Sequence, residues 1–280
     1  MDNRKGREGQ IPWGAYQSRI PCRSVVSLLS TDSSILDREA DVNSEHAIWG
    51  TALQCAAANN NFDLVRYLVS EGGANVNAPG KLGGSGPMIA AVSAGNSSIF
   101  HYLFSLQTCS KNQRGIFGNI LQTACYLGRR EIVEEILSSD YNINARLEPY
   151  GSPLIMAIQG GNFDIAELLI SRGADVNFAI PKYGTALHLT AAGGVESIVK
   201  SLIRAGANVN SKGGDFGTPL QAAAANGHQL ILLFLLDCGA EVNVHGGRYG
   251  TALKAAQANR HSLLAKFLLF SGAEVTQEVQ

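Results

Sequence analysis

Charge is scarce in this sequence. Asp, Glu, Lys and Arg together make up 16% of its 280 residues, against about 25% in an ordinary soluble domain. The two signs nearly cancel, 22 basic against 23 acidic residues for a net charge of −1. Whole-molecule attraction to nucleic acid or to an anionic membrane is therefore not expected. No apolar run reaches the ~18 residues that a membrane span needs, and residues 1–10 are polar, without the apolar core of a secretion signal. The five cysteines (22, 55, 109, 125 and 238) are odd in number and include no Cys-x-x-Cys pair. That excludes a disulfide framework or a zinc ribbon as the organising principle and points to a reduced compartment inside the cell, cytoplasm or nucleus.

What is present is small and periodic. Glycine alone contributes 31 residues. The strings Gly50-Thr51-Ala52-Leu53, Gly184-Thr185-Ala186-Leu187, Gly217-Thr218-Pro219-Leu220 and Gly250-Thr251-Ala252-Leu253 are variants of one another. Gly86-Pro87-Met88, Asn119-Ile120-Leu121 and Ser152-Pro153-Leu154 fill the remaining slots, so apolar anchors fall at 53, 88, 121, 154, 187, 220 and 253. One step of 35 and five of 33 mark an internal repeat, which outweighs every other signal in the chain.

Each period reads as two short helices and a finger. After the anchor, small residues follow at helical spacing, as in Leu53/Ala56/Ala57, Leu121/Ala124/Cys125 and Leu220/Ala223/Ala224. Thr51, Ser152, Thr185, Thr218 and Thr251 precede these runs, where a hydroxyl can accept from an orphan backbone N–H. A turn at Asn60, Gly95, Gly128, Gly161, Gly194 or Gly227 leads into a heavier second helix, such as Ile165/Leu168/Leu169. Gly173, Gly206, Gly239 and Gly272 stand at its end, the residue type that accepts a left-handed cap.

The period, the Gly-Thr-Ala/Pro-Leu opening and closes such as Ala-Asp-Val-Asn (174–177) resemble ankyrin repeats over roughly residues 40–275. The wording Tyr-Gly-Thr-Ala-Leu, with Gln221-Ala222-Ala223-Ala224 and Gly246-Gly247-Arg248-Tyr249, is similar to the variant common in filamentous-fungal ankyrin proteins. The resemblance implies an all-α fold, an ankyrin-repeat solenoid of stacked helix-turn-helix units with extended β-turn fingers. It also implies a protein–protein interaction scaffold, binding through finger tips and the concave face of the first helices. The His usual after the anchor Leu occurs only at His188; Gln54, Gln122, Gln221, Lys254, Ile89 and Ile155 replace it. That departure is expected to weaken the side-chain network at this position.

The expected organisation is a poorly ordered arm over 1–20, a partial repeat over 21–48 and seven repeats over 49–280. Residues 105–117 keep the length of a finger but lose its wording, which is either drift in a tolerant loop or a flexible contact finger. Leu263, Leu264, Phe267, Leu268 and Phe270 make the last helix strongly apolar. Solenoids normally blunt their ends, so further repeats or a partner are expected to cover that face.

No catalytic, cofactor-binding or metal-binding residue emerges. The six histidines (46, 101, 188, 228, 245 and 261) fall in different periods, and no His/Cys/Asp cluster has ligand spacing. The stretch 80–86, Gly-Lys-Leu-Gly-Gly-Ser-Gly, lacks the Gly-Lys-Ser/Thr order of a phosphate loop. An enzyme is not expected. The alternative to a free-standing scaffold is the recognition portion of a larger signalling protein, with an NTPase or effector domain outside this chain.

Candidate contact residues lie mostly on the fingers. Trp49, Phe117, Tyr150, Tyr183, Phe216 and Tyr249 precede the repeat openings, and from 117 onward they recur every 33 residues. They either pack finger on finger or supply the aromatic anchors favoured at interfaces. Lys81, Arg114, Arg146, Lys182, Lys212 and Arg248 lie in the same fingers and suggest a positive stripe for an acidic partner. At the ends of the first helices the residues are mostly small, except Tyr126 with Leu127.

Overall fold

The structure, a computed structural model, describes residues 41–45, 50–80 and 86–275. The arm expected over 1–20, all of the partial repeat except 41–45, Trp49 and Lys81 lie outside the described residues. The chain divides into two compact units, Met1–Gln113 and Arg114–Gln280.

In the first unit α1 (Ala52–Ala58) turns into α2 (Phe62–Ser70), and α3 (Pro87–Ala94) into α4 (Ser97–Ser105). The second unit carries five such pairs: α5 (Ile120–Tyr126) with α6 (Arg130–Leu137), α7 (Pro153–Gln159) with α8 (Phe163–Ser171), α9 (Ala186–Gly193) with α10 (Glu196–Arg204), α11 (Pro219–Asn226) with α12 (Gln229–Asp237), and α13 (Ala252–Ala258) with α14 (Ser262–Phe270). Within each unit first helices stack on first helices and second on second, the arrangement of a helix-turn-helix solenoid. The apolar anchors at 53, 88, 121, 154, 187, 220 and 253 are each at most 2% exposed. Burial of such a side chain contributes about 1.5–3 kcal/mol. Helices this short are marginal alone, so this shared burial holds them.

The fingers carry minimal β-structure: β1 (Arg114–Gly115) pairs antiparallel with β2 (Gly118–Asn119), and β3 (Ala179–Ile180) with β4 (Gly184–Thr185). Single bridges at Leu147–Gly151, Gly213–Gly217 and Gly246–Gly250 close the other fingers of this unit.

Reciprocal caps start four first helices. Thr51 Oγ1 accepts from the Gln54 N–H, and Gln54 Oε1 accepts from the Thr51 N–H; Asn119/Gln122, Thr185/His188 and Thr218/Gln221 repeat the arrangement. The far end of the capping residue then reaches the next finger. Gln54 Nε2 donates to Ala78 O (3.1 Å), Gln122 Nε2 to Gly151 O (2.6 Å), and Gln221 Nε2 to Gly250 O (2.8 Å). His188 Nε2 lies 3.2 Å from Gly217 O. The replacement of His by Gln therefore does not weaken this network, contrary to the expectation from sequence: the amide spans the same two backbone groups. Only an aliphatic residue, as at Ile89 and Ile155, has nothing to offer there.

A second ladder runs along the closes. Asn177, Asn210 and Asn243 donate to Gly206 O, Gly239 O and Gly272 O, and accept from the N–H of Asn208, Glu241 and Glu274. Asn43 does the same to Gly73 and Asn75 in the first unit. The irregular finger after α4 is tied in as well. Asn77 bonds Thr108 O and Ser110 N, while Gln113 donates to Val76 O and accepts from the Met88 N–H. Cys109, 5% exposed, is pushed up to about 11 by burial.

Candidate partner-binding surface

The fingers of the second unit are braced by backbone before any side chain is considered. The Asp215 N–H donates to Lys182 O (3.1 Å), and the Arg248 N–H donates to Asp215 O (2.8 Å). Three successive fingers, those carrying Tyr183, Phe216 and Tyr249, are thereby locked in step. Gly247 permits the closeness: at φ +60° it takes the left-handed conformation, and a methyl group added to it would fall 2.3 Å from the Phe216 carbonyl carbon.

On this frame the rings and cations interlock. The Arg248 guanidinium lies 4.8 Å from the centre of the Phe216 ring and 4.7 Å from that of Tyr249. Lys182 Nζ lies 5.2 Å from the Tyr183 ring, and that ring is 43% exposed. Such contacts contribute about 0.5–1 kcal/mol at exposed sites. No carboxylate is within ion-pair range of Arg248 among the described residues. Arg146 is differently placed. It pairs with Asp175 at 2.8 Å and covers the Phe178 ring at 4.4 Å, so most of its charge is answered within the chain.

The basic residues do not form an unbroken line. Arg114 stands seven residues before its anchor, Arg146 and Lys212 eight, and Lys182 and Arg248 five. The position shared by Lys182 and Arg248 is Asp215 in the finger between them. Lys212 is exposed and meets neither ring nor carboxylate among the described residues. Arg114, exposed on β1, lies near Tyr141, whose hydroxyl burial pushes up to about 12 and the Arg114 charge pulls down in part.

At the start of the second unit the finger and helix candidates meet. The Phe117 and Tyr126 rings stack at 4.4 Å, so the finger aromatic lies on the end of α5. Both rings are half-buried, as is Leu127, the C-terminal cap of α5. Ile116 beside them is 45% exposed. It was not singled out from sequence, although an isolated aliphatic residue at a finger tip is a readable signal. Tyr150 is half-buried in its own tight turn, its N–H donating to Leu147 O at 2.8 Å.

Carbonyls at the ends of α5, α9 and α11 are already used. Asn162 Nδ2 donates to Tyr126 O (2.8 Å), and the Nε2 atoms of His228 and His261 approach Ala192 O (3.0 Å) and Ala225 O (3.2 Å). Side chains rather than backbone must therefore make any contact there. A second exposed surface lies on α12 and α14, where Leu230 is 63%, Leu263 60% and Phe270 92% exposed.

Among the described residues no group of three or more His, Cys, Asp or Glu is placed to hold a metal ion, and no helix is long and apolar enough to cross a membrane. A family model described as "Ankyrin repeats (3 copies)" matches residues 23–115, 88–180 and 187–279. No curated protein matches the chain.

Proposed function

The chain belongs to the ankyrin-repeat family, whose repeats are in general protein–protein interaction modules rather than catalysts, and from that premise we propose that it is a non-enzymatic scaffold holding a protein partner along its finger edge and the concave face of its first helices. In this reading residues 49–280 are seven repeats, preceded by a partial one over 21–48 and an arm over 1–20. They are of the filamentous-fungal type by the wording of their openings, and the protein works in the cytoplasm or nucleus.

The observation that carries the reading is the bracing of Arg248. Its backbone is bonded to the neighbouring finger, its side chain is held against two rings, and no carboxylate among the described residues answers its charge. A cation fixed in this way loses little freedom when an acid binds, which is how rigid sites gain affinity. The partner is accordingly an acidic segment laid along the fingers, with Tyr183 and the Ile116/Phe117/Tyr126 cluster supplying apolar contact. Proximity labelling that compares the intact protein with a Tyr126→Ala/Tyr183→Ala/Arg248→Ala variant tests this. Loss of a defined subset of partners, with salt-sensitive binding of those lost, is expected. An unchanged partner set removes this surface from consideration.

A second reading rests on the bare α14. With Leu263, Leu269 and Phe270 exposed, the array is the recognition portion of a larger signalling protein whose effector domain lies outside this chain. Extra domains in the native reading frame support that reading, and their absence from it removes it.

A further inference from the structure

Four kinds of link join successive helix pairs in the second unit, and one junction lacks three of them. The first link is the capping residue that reaches forward: Gln122, His188 and Gln221 do so, but the corresponding residue between α7 and α9 is Ile155. The second is the residue before each second helix that reaches back: Asn162 to the end of α5, His228 to α9 and His261 to α11. At the α7–α9 junction this residue is Val195, with no donor to give. The third is the finger-to-finger backbone bond. It is present from Asp215 to Lys182 and from Arg248 to Asp215, and the finger of Tyr150 has no such bond to that of Tyr183 or to that of Phe117.

The vacancy is visible in the glycines of the turns. A methyl group added to Gly128 would fall 2.6 Å from Asn162, one on Gly194 2.6 Å from the His228 ring, and one on Gly227 2.7 Å from the His261 ring. On Gly161, where a residue at 195 would reach back, it would meet nothing within 4 Å. The first helices α7 and α9 also meet over less backbone than their neighbours, so that the second helices α8 and α10, which meet over more than theirs, carry a larger share of this junction than of the others. Ile158 stands there in the place that Cys125, Ala191 and Ala224 occupy in α5, α9 and α11. What remains is Asn177, bonded to Gly206 and Asn208, the Ser201 hydroxyl donating to Glu167 Oε1 at 2.8 Å, and Arg146, which reaches from the finger of Tyr150 to Asp175 and the Phe178 ring at the foot of the next finger.

We infer that the junction between α7–α8 and α9–α10 is a compliant joint dividing the second unit into two blocks, residues 114–178 and 181–275, which open independently. In a solenoid each pair touches only its neighbours, so cooperativity passes through these interfaces alone. A junction short of links is where it breaks first. The joint runs beneath the finger edge, between Tyr150 and Tyr183. It therefore separates the Phe117/Tyr126 cluster from the Tyr183/Arg248 edge, and a partner spanning both must fix it.

Hydrogen exchange followed by mass spectrometry on the intact chain in rising urea tests the joint without reference to any partner. The expected result is one opening shared by α5–α8 and a separate one shared by α9–α14, with the boundary between Asn177 and Gly184. Val195→His should restore the backward link, the space over Gly161 being open. It should slow exchange through the weaker block by roughly fivefold, the equivalent of one net hydrogen bond, and draw the two openings together. His261→Val should create a new boundary between α11 and α13. A single opening across 114–275 in the unaltered protein overturns the inference, and so does a Val195→His protein that folds normally but leaves the two openings as far apart as before.

Discussion

Phe117, on a finger, and Tyr126, at the end of a helix, stack with ring centres 4.4 Å apart and planes 21° apart. Two features that look unrelated along the chain thus form one apolar contact. A stacked pair contributes about 0.5–1.5 kcal/mol beyond the area it buries. A double-mutant cycle of Phe117→Ala and Tyr126→Ala, read from urea midpoints, should give a coupling in that range. Zero coupling would mean that the rings serve only a partner and do not brace the finger.

His188 makes stability depend on acid. Burial holds its pKa below the ordinary value, and the carbonyl bonds raise it only in part. Thr185 N–H donates to Nδ1 at 3.1 Å, which requires that nitrogen to be unprotonated. The folded chain therefore takes up this proton at lower pH than the unfolded chain does. Stability is full above about pH 6.5, the unfolded value, and declines as pH falls from there towards the depressed folded pKa. His188→Gln keeps both bonds by the geometry of Gln221 and removes the titration. The difference in urea midpoint between unaltered protein and variant should be nearly constant above pH 7 and widen in the variant's favour towards pH 5.

The helix pairs, caps and anchors were legible because each is a local rule repeated many times. Thr218 before Leu220 and Gly239 after α12 signal a geometry that recurs in most periods. The links between pairs were harder to read. Nothing in the wording around Gln221 says that its amide closes its own cap and also reaches Gly250, so the replacement of His looked like a loss. Pairing was equally hidden: Arg146 and Arg248 are both basic finger residues in sequence, yet Asp175 answers one and no carboxylate among the described residues answers the other. That distinction depends on how a side chain crosses to its neighbour, which periodicity does not encode.

The close-to-close ladder is the simplest link to weaken. Asn210 Nδ2 donates to Gly239 O at 3.0 Å and its Oδ1 accepts from Glu241 N at 2.8 Å. Both bonds are exposed, so water compensates in part and each contributes about 1 kcal/mol at most. Asn210→Ala should cost about 1–2 kcal/mol by urea unfolding, and Asn210→Asp, which keeps the acceptor but loses the donor, roughly half. Equal losses for the two variants would assign the whole effect to the donor.

Gln221 is the buried counterpart and should be far less forgiving. Its side chain, 1% exposed, accepts from the Thr218 N–H (2.8 Å) and donates to both Val244 O (2.9 Å) and Gly250 O (2.8 Å). Gly250 O keeps a second donor in the Gly246 N–H, but Thr218 N and Val244 O would be stranded in Gln221→Ala. A stranded buried group costs about 1–3 kcal/mol, so a loss of roughly 2–4 kcal/mol in urea unfolding is expected. Gln221→His should recover about half of it, since His188 makes the cap and the forward bond with its two ring nitrogens. Val244 O is then still stranded, which leaves a deficit of about 1–3 kcal/mol. If His proved as costly as Ala, the forward reach would contribute little, and the cap alone would account for the residue at this position.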